Sequence, residues 1–175
     1  MILEPTLLKD KKRLAEVYQL RTLAWENSEK KEFVNSILFP SGWQDPLDDT
    51  GKHIIITDMY DKIIAAARMN TFSSFEVFLY YNNIKHIDLH DLTPFCFYSR
   101  LVVQSEYRNT GLSLLIDKKI ETSAAALKSK WILALTSDRT NLMINKLGYQ
   151  QYGSAFIKYH NRTKEHLVDV LIKHL

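Results

Sequence analysis

The chain has 175 residues, 46% of them hydrophobic and 25% charged, with a formal net charge of +3. That length and balance suit one globular domain with a real core, and they exclude both a disordered chain and a strongly basic nucleic-acid binder. No apolar run approaches the roughly 20 residues of a membrane span, and the single cysteine, Cys96, permits no internal disulfide.

The opening Met-Ile-Leu-Glu-Pro lacks the charged and apolar regions of a signal peptide, so a cytoplasmic protein is expected. On that expectation the sequon at Asn161 to Thr163 is accidental. Ile2 to Glu4 can form a short strand before Pro5. From Lys9 to Glu26 the positions Leu14, Val17, Tyr18, Ala24 and Trp25 share one helical face. A short helix is expected from Lys31 to Leu38, stopped by Pro40-Ser41-Gly42. The polar, turn-rich segment Trp43 to Asp49 comes next.

His53 to Asp58 and Ile63 to Asn70 read as a β-hairpin turned at Met59 to Lys62. Thr71 to Thr93 has no clear period. Its His86, Asp88 and His90 alternate as metal ligands on a strand would, but a polar surface loop explains them as well, and no metal is expected. Phe95 to Val103 is almost continuously apolar, as in a strand at the middle of a sheet. From Leu112 the residues Ile116, Ile120, Ala124 and Leu127 recur at helical spacing. Trp131 to Thr136 reads as a buried strand, Thr140 to Lys146 as a helix stopped by Gly148, and Ser154 to Tyr159 as a strand. Leu167, Val168, Leu171, Ile172 and Leu175 suggest a closing amphipathic helix. These elements make an α/β domain of mixed strands, with a strand–helix–strand unit near 95 to 136 whose crossover should be right-handed.

The chemistry is concentrated between Leu101 and Ser113. A buried strand ends, a polar loop succeeds it, and a helix starts at Gly111. The first helical turn has backbone N–H groups without partners and the positive end of the dipole, which together suit phosphate. Gly111 lets the backbone approach a ligand, Ser113 is small, and Arg108 can add a charge-assisted bond. Neither G-x-x-x-x-G-K-[ST] nor G-x-G-x-x-G occurs, which removes support from P-loop and dinucleotide enzymes.

Here the sequence resembles the GNAT superfamily of N-acyltransferases, whose signature reads L-x-V-x-P-x-Y-R-G-x-G-x-G/A before a helix. Leu101, Val103, Tyr107, Arg108 and Gly111 match it, while Ser105, Asn109 and Ser113 depart from it. Leu147-Gly148-Tyr149 resembles the family's L-G-F turn, and the order of elements agrees over most of the chain. The resemblance implies a GNAT-type mixed, strongly twisted central sheet with flanking helices, in a single domain spanning 1–175. It implies transfer of an acyl group, most simply acetyl, from acyl-CoA to a small-molecule amine by direct attack. Leu101, Val102 and Val103 would hold the pantetheine arm, in a slot opened where the strand ending at Val103 splays from Thr136. The loop Arg108, Asn109, Thr110, Gly111, Leu112 and Ser113 would hold the pyrophosphate, and amides near Leu101 would polarise the thioester carbonyl. Neither nucleic acid nor membrane is an expected partner, and the chain would be a monomer or homodimer.

Two family positions are altered. The central-strand glutamate that often serves as base is Phe97, and the tyrosine that often protonates the leaving thiolate is Ile144. Ser99, Arg100 and Tyr98 are the candidate catalytic residues in their place, with Cys96, Asp48 and His90 as further candidates for a base. Cys96 reads better as a small core residue than as a nucleophile.

The chain is also similar to acyl-homoserine-lactone synthases, through Ser99-Arg100-Leu101, Arg68, and Trp43 with Asp45 and Asp48 after it. That likeness implies a longer acyl donor, on CoA or a carrier protein, and an amino-acid-like acceptor. Trp43, Asp45, Asp48 and Arg68 would then contact the acceptor. Equally, Arg68 and Arg100 can pair with Asp45, Asp48 or Asp49 and fasten the N-terminal segment to the sheet. The altered Phe97 and Ile144 also leave open a coenzyme-binding domain without catalysis.

Overall fold

A computed structural model describes residues 3–26, 37, 39–159 and 164–175. The helix expected from Lys31 to Leu38, apart from Ile37, and the sequon at 161–163 lie outside the described residues. The strands are β1 (Thr6–Leu7), β2 (Lys52–Thr57), β3 (Ile63–Phe72), β4 (Phe95–Val103), β5 (Trp131–Thr136), β6 (Gln150–Ile157) and β7 (His166–His174). The helices are α1 (Leu14–Glu26), α2 (Tyr81–Ile84), α3 (Leu112–Ala126) and α4 (Thr140–Leu147). The strands form one seven-stranded sheet in the order β1-β2-β3-β4-β5-β7-β6. The β4–β5 pair is parallel and joined through α3, while β1–β2, β5–β7 and β6–β7 are antiparallel.

The first strand lies just beyond Pro5, at Thr6–Leu7; of the strand expected at 2–4, Leu3 and Glu4 are described and are not extended in a sheet, and Ile2 lies outside the described residues. The bounds expected for β4 and β5 agree with those observed. The expected closing helix is instead β7. Its β-branched residues Val168, Val170 and Ile172 alternate along the strand and are all buried, a period of two that the helical reading passed over. Pairing on both sides, to β5 and to β6, supplies the reason this nine-residue segment stays extended.

The chain divides into two compact units, 1–68 with 100–120, and 69–99 with 121–175. In the first, α1 buries Val17, Leu20 and Ala24 against Ile55, Ile63, Ala66 and Val102. The second holds an aromatic cluster in which Phe95 stacks on Phe75 at 4.3 Å, and Phe78 meets Phe97 edge-on at 4.9 Å.

Candidate functional site

The segment between β4 and α3 is a single 3-10 turn, Ser105–Tyr107, and then a short run that resets the chain. The Arg108 amide donates to the Ser105 carbonyl at 3.2 Å. Asn109 then takes φ +63 and Gly111 φ +88, so the chain passes twice through left-handed conformations. The Thr110 hydroxyl donates to the Tyr107 carbonyl at 2.6 Å. Gly111 starts the helix, its carbonyl accepting from the Leu114 and Leu115 amides at 3.0 and 3.2 Å. The amides of Asn109, Thr110, Gly111, Leu112 and Ser113 donate to no protein group among the described residues. A Cβ added at Gly111 would meet nothing within 4 Å, so the space before these amides is open.

Arg108 does not reach over that space. Its Nη2 donates to the Ala24 carbonyl near the end of α1 at 3.0 Å, and its Nε to the Val103 carbonyl at 3.4 Å. Just past the end of β4, the Gln104 amide donates to the Ile64 carbonyl of β3 at 2.8 Å. N–H and C=O of one residue in an antiparallel strand point the same way and alternate along it. Leu101 and Val103 therefore direct theirs to the edge away from β3, and the buried Val102 packs into the core below α1. The β4–β5 register runs from Phe95↔Trp131 to Tyr98↔Ala134, while β4 continues to Val103 and β5 to Thr136.

A buried ionic network lies in the same unit. Asp45 caps the 3-10 turn Pro46–Asp48, its side chain accepting from the Leu47 amide, while Asp48 returns a bond to the Asp45 amide. The free lone pairs of both acids meet guanidinium groups. Asp45 Oδ1 accepts from Arg68 Nη1 at 2.5 Å, and Asp45 Oδ2 from Arg100 Nε and Nη2 at 2.8 and 2.5 Å. Asp48 accepts from Arg21 Nη1 at 3.0 Å, faces Arg68 Nη1 at 2.9 Å, and lies 3.0 Å from His53 Nε2. Burial alone would push both carboxyls up. For Asp45 the nearby Arg100 and Arg68 win, for Asp48 the His53 bond with Arg21 and Arg68, and both end below the usual carboxylate range. Burial also pulls Arg21 down to about 10, which leaves it charged at neutral pH.

Trp43 binds this network to α1. Its amide donates to the Tyr18 carbonyl at 3.0 Å and the Thr22 hydroxyl at 2.8 Å, and its ring lies 4.3 Å from the Arg100 guanidinium carbon. Gly42 permits the approach, because a Cβ there would run into the Tyr18 backbone, and its φ of +92 suits glycine.

The four residues named for an acceptor, Trp43, Asp45, Asp48 and Arg68, are thus brought together with Arg100, and all but Arg100 are almost wholly buried. The pairing of Arg68 and Arg100 with the two acids is present, and Asp45 and Asp48 rather than Asp49 supply it. Sequence reading missed Arg21 and His53. Arg21 does carry a signal, since a cation between Leu20 and Ala24 interrupts the apolar stripe of α1.

The remaining candidates are dispersed. Tyr98 is buried, with its hydroxyl accepting from Arg139 Nη1 at 3.3 Å, and Ser99 is half-buried in β4. Cys96 is buried and desolvation pushes its thiol up to about 12, so it stays protonated as a small core side chain. His86, Asp88 and His90 are all exposed and lie on no strand, and the described residues contain no cluster of three metal-ligating side chains.

No family model and no curated protein matches the chain. Solved structures do. A provisionally assigned N-acetyltransferase from Lactobacillus plantarum aligns over 100% of this chain and 99% of its own, with a TM-score of 0.68 at 12% identity. A GNAT-family acetyltransferase from Staphylococcus aureus Mu50 covers 99% of each chain, at TM-score 0.64 and 9% identity. The fold is that of the GNAT superfamily. A Bacillus subtilis acetyltransferase solved with CoA has the same fold, with TM-score 0.62, 12% identity and 99% of each chain covered. The GNAT fold accounts for the parallel β4–β5 pair inside a largely antiparallel sheet, and for the helix that begins at the loop after β4.

Proposed function

We propose that this chain is a single-domain GNAT N-acyltransferase that moves an acyl group, most simply acetyl, from acyl-CoA to a small-molecule amine. The observation that carries the reading is the run of five unpartnered amides from Asn109 to Ser113 around the open Gly111. Buried or ligand-facing N–H groups need acceptors, and phosphate oxygens at a helix start supply them. The coenzyme fits this donor set, and a protein of the same fold was solved with CoA. The pyrophosphate would take the five amides, and Leu101 and Val103 would offer their outward N–H and C=O groups to the amides of the pantetheine arm. The donor supplies an activated thioester, which the amine attacks directly in a ternary complex.

Acid–base help is sparse. Phe97 packs between Phe78 and Tyr80 and cannot move a proton, and Ile144 is equally inert. The amine must then arrive neutral. We expect log(kcat/KM) to rise with pH by about one per unit up to the acceptor's own pKa, and to move with that pKa when the amine is changed. An inflection fixed across amines would reveal a protein base instead.

Acetyl-CoA or CoA should raise Tm, because a ligand of the folded state stabilises it. Gly111→Val should abolish that shift, since Val resists φ +88 and its side chain fills the open space. No shift with the parent chain at millimolar coenzyme overturns the reading. Binding without turnover over a broad amine panel favours a non-catalytic domain. Faster thiol release from longer acyl-CoA or acyl-carrier-protein donors favours the synthase-like alternative, which the assembled Trp43, Asp45, Asp48, Arg68 and Arg100 group supports.

A further inference from the structure

Arg100 lies inside β4 yet has φ +58, a left-handed conformation uncommon for any residue but glycine, asparagine or aspartate. A residue so placed interrupts the strand's alternation and re-aims the residues after it, as at a β-bulge. The conformation is held from outside the strand. Asp45 Oδ2 takes both Nε and Nη2 of Arg100, and the Trp43 ring lies against the guanidinium at 4.3 Å. Asp45 cannot follow Arg100 if the strand relaxes, because its other oxygen is bound to Arg68 and to the Leu47 amide. The next residues of β4 are Leu101 to Val103, whose outward backbone groups form the edge assigned to pantetheine.

We propose that Asp45 and Trp43 are positioning residues for the coenzyme. Through Arg100 they hold the left-handed turn in β4 that presents the Leu101 and Val103 backbone to the pantetheine arm. The acids would then serve the donor side of the site through the strand, and not the acceptor through contact. This rests on the coenzyme reading above, and it makes one demand that reading does not. The φ angle at position 100 should matter for pantetheine and not for phosphate.

The test compares Arg100→Gly, Arg100→Asn and Arg100→Val. All three lose the ion pair with Asp45, but Gly and Asn accept the left-handed conformation and a β-branched Val resists it. Each is titrated calorimetrically with CoA and with 3′-phospho-ADP, which has the coenzyme's phosphates but no pantetheine. We expect Arg100→Val to weaken CoA by about tenfold or more, and Gly and Asn by about threefold or less, with 3′-phospho-ADP nearly unchanged in all. Equal losses of CoA among the three variants, or parallel losses of both ligands, overturn the inference. Should Arg100→Val not fold, Asp45→Asn decides alone: CoA must weaken while 3′-phospho-ADP does not. If the parent chain binds 3′-phospho-ADP but gains nothing from the pantetheine arm, the inference fails and the phosphate loop stands. If it binds neither, the coenzyme reading falls and takes the inference with it.

Discussion

Asp48 has no solvent to fall back on. Its side chain is 2% exposed and its oxygens are shared among Arg21, Arg68, His53 and the Asp45 amide. Removing one partner from such a group leaves buried charge uncompensated, so Asp48→Asn should cost about 3–5 kcal/mol in urea unfolding. Arg21 already has Nε and Nη2 without a hydrogen-bond partner, which makes it the group least able to absorb that loss. His53 adds a pH dependence. Burial pulls its pKa down, only partly opposed by Asp48, so the folded state binds its proton less readily than the unfolded chain does. Stability tied to His53 is therefore present above the unfolded pKa of about 6.5 and is lost as pH falls from there through the folded value. The depressed carboxyls of Asp45 and Asp48 add a loss of the same sign below about pH 4. Replacing His53 by Gln should flatten the slope of unfolding free energy as pH falls below about 6.5, and an unchanged slope would assign it to other histidines. At this scale the sequence named Asp45, Asp48, Arg68 and Arg100 and allowed their pairing, but it could not set Asp49 apart from the two acids or name Arg21 and His53 as further partners. Pairing depends on which side chains the folded chain brings within about 3 Å, and spacing along the chain does not encode that.

Among the elements, the strand–loop–helix run from Phe95 to Ala126 was legible because local signals agree there. A continuous apolar run, a polar interval, a glycine and a helical stripe all point to one arrangement. The last element was not legible, because Leu167, Leu171 and Leu175 can be fitted to a helix while Val168, Val170 and Ile172 fit a strand. Only the pairing partners β5 and β6 decide between them. Arg108 shows the same division. Its place in the loop was readable, but its direction was not, since its guanidinium turns to the Ala24 carbonyl of α1. Arg108→Ala should therefore lower global stability by about 1–2 kcal/mol, the cost of a charge-assisted bond to a helix carbonyl. Coenzyme affinity should fall far less than in Gly111→Val, since the phosphate site is built from backbone amides. A loss in affinity as large as that of Gly111→Val would return the side chain to the phosphate.

For the chain as a whole, the reading of a single domain meets a division into two compact units. The boundaries fall at 68/69, 99/100 and 120/121, which lie inside β3, β4 and α3. No Pro- or Gly-rich linker separates the units, as it does between independently folding domains. Unfolding one unit alone would have to break two strands and a helix in their middles, leaving hydrogen-bonding groups of the ladder and helix without partners. One cooperative transition is the expected outcome. The tryptophans report on it separately, because Trp25 and Trp43 belong to the first unit and Trp131 to the second. In a Trp25→Phe, Trp131→Phe chain Trp43 is the one tryptophan left to emit, and in a Trp25→Phe, Trp43→Phe chain Trp131 is. Within each chain, the fluorescence midpoint in urea should coincide with the far-UV circular dichroism midpoint. Fluorescence that leads or trails the dichroism, in opposite senses for the two chains, would show two units unfolding in turn and would end the single-domain proposal.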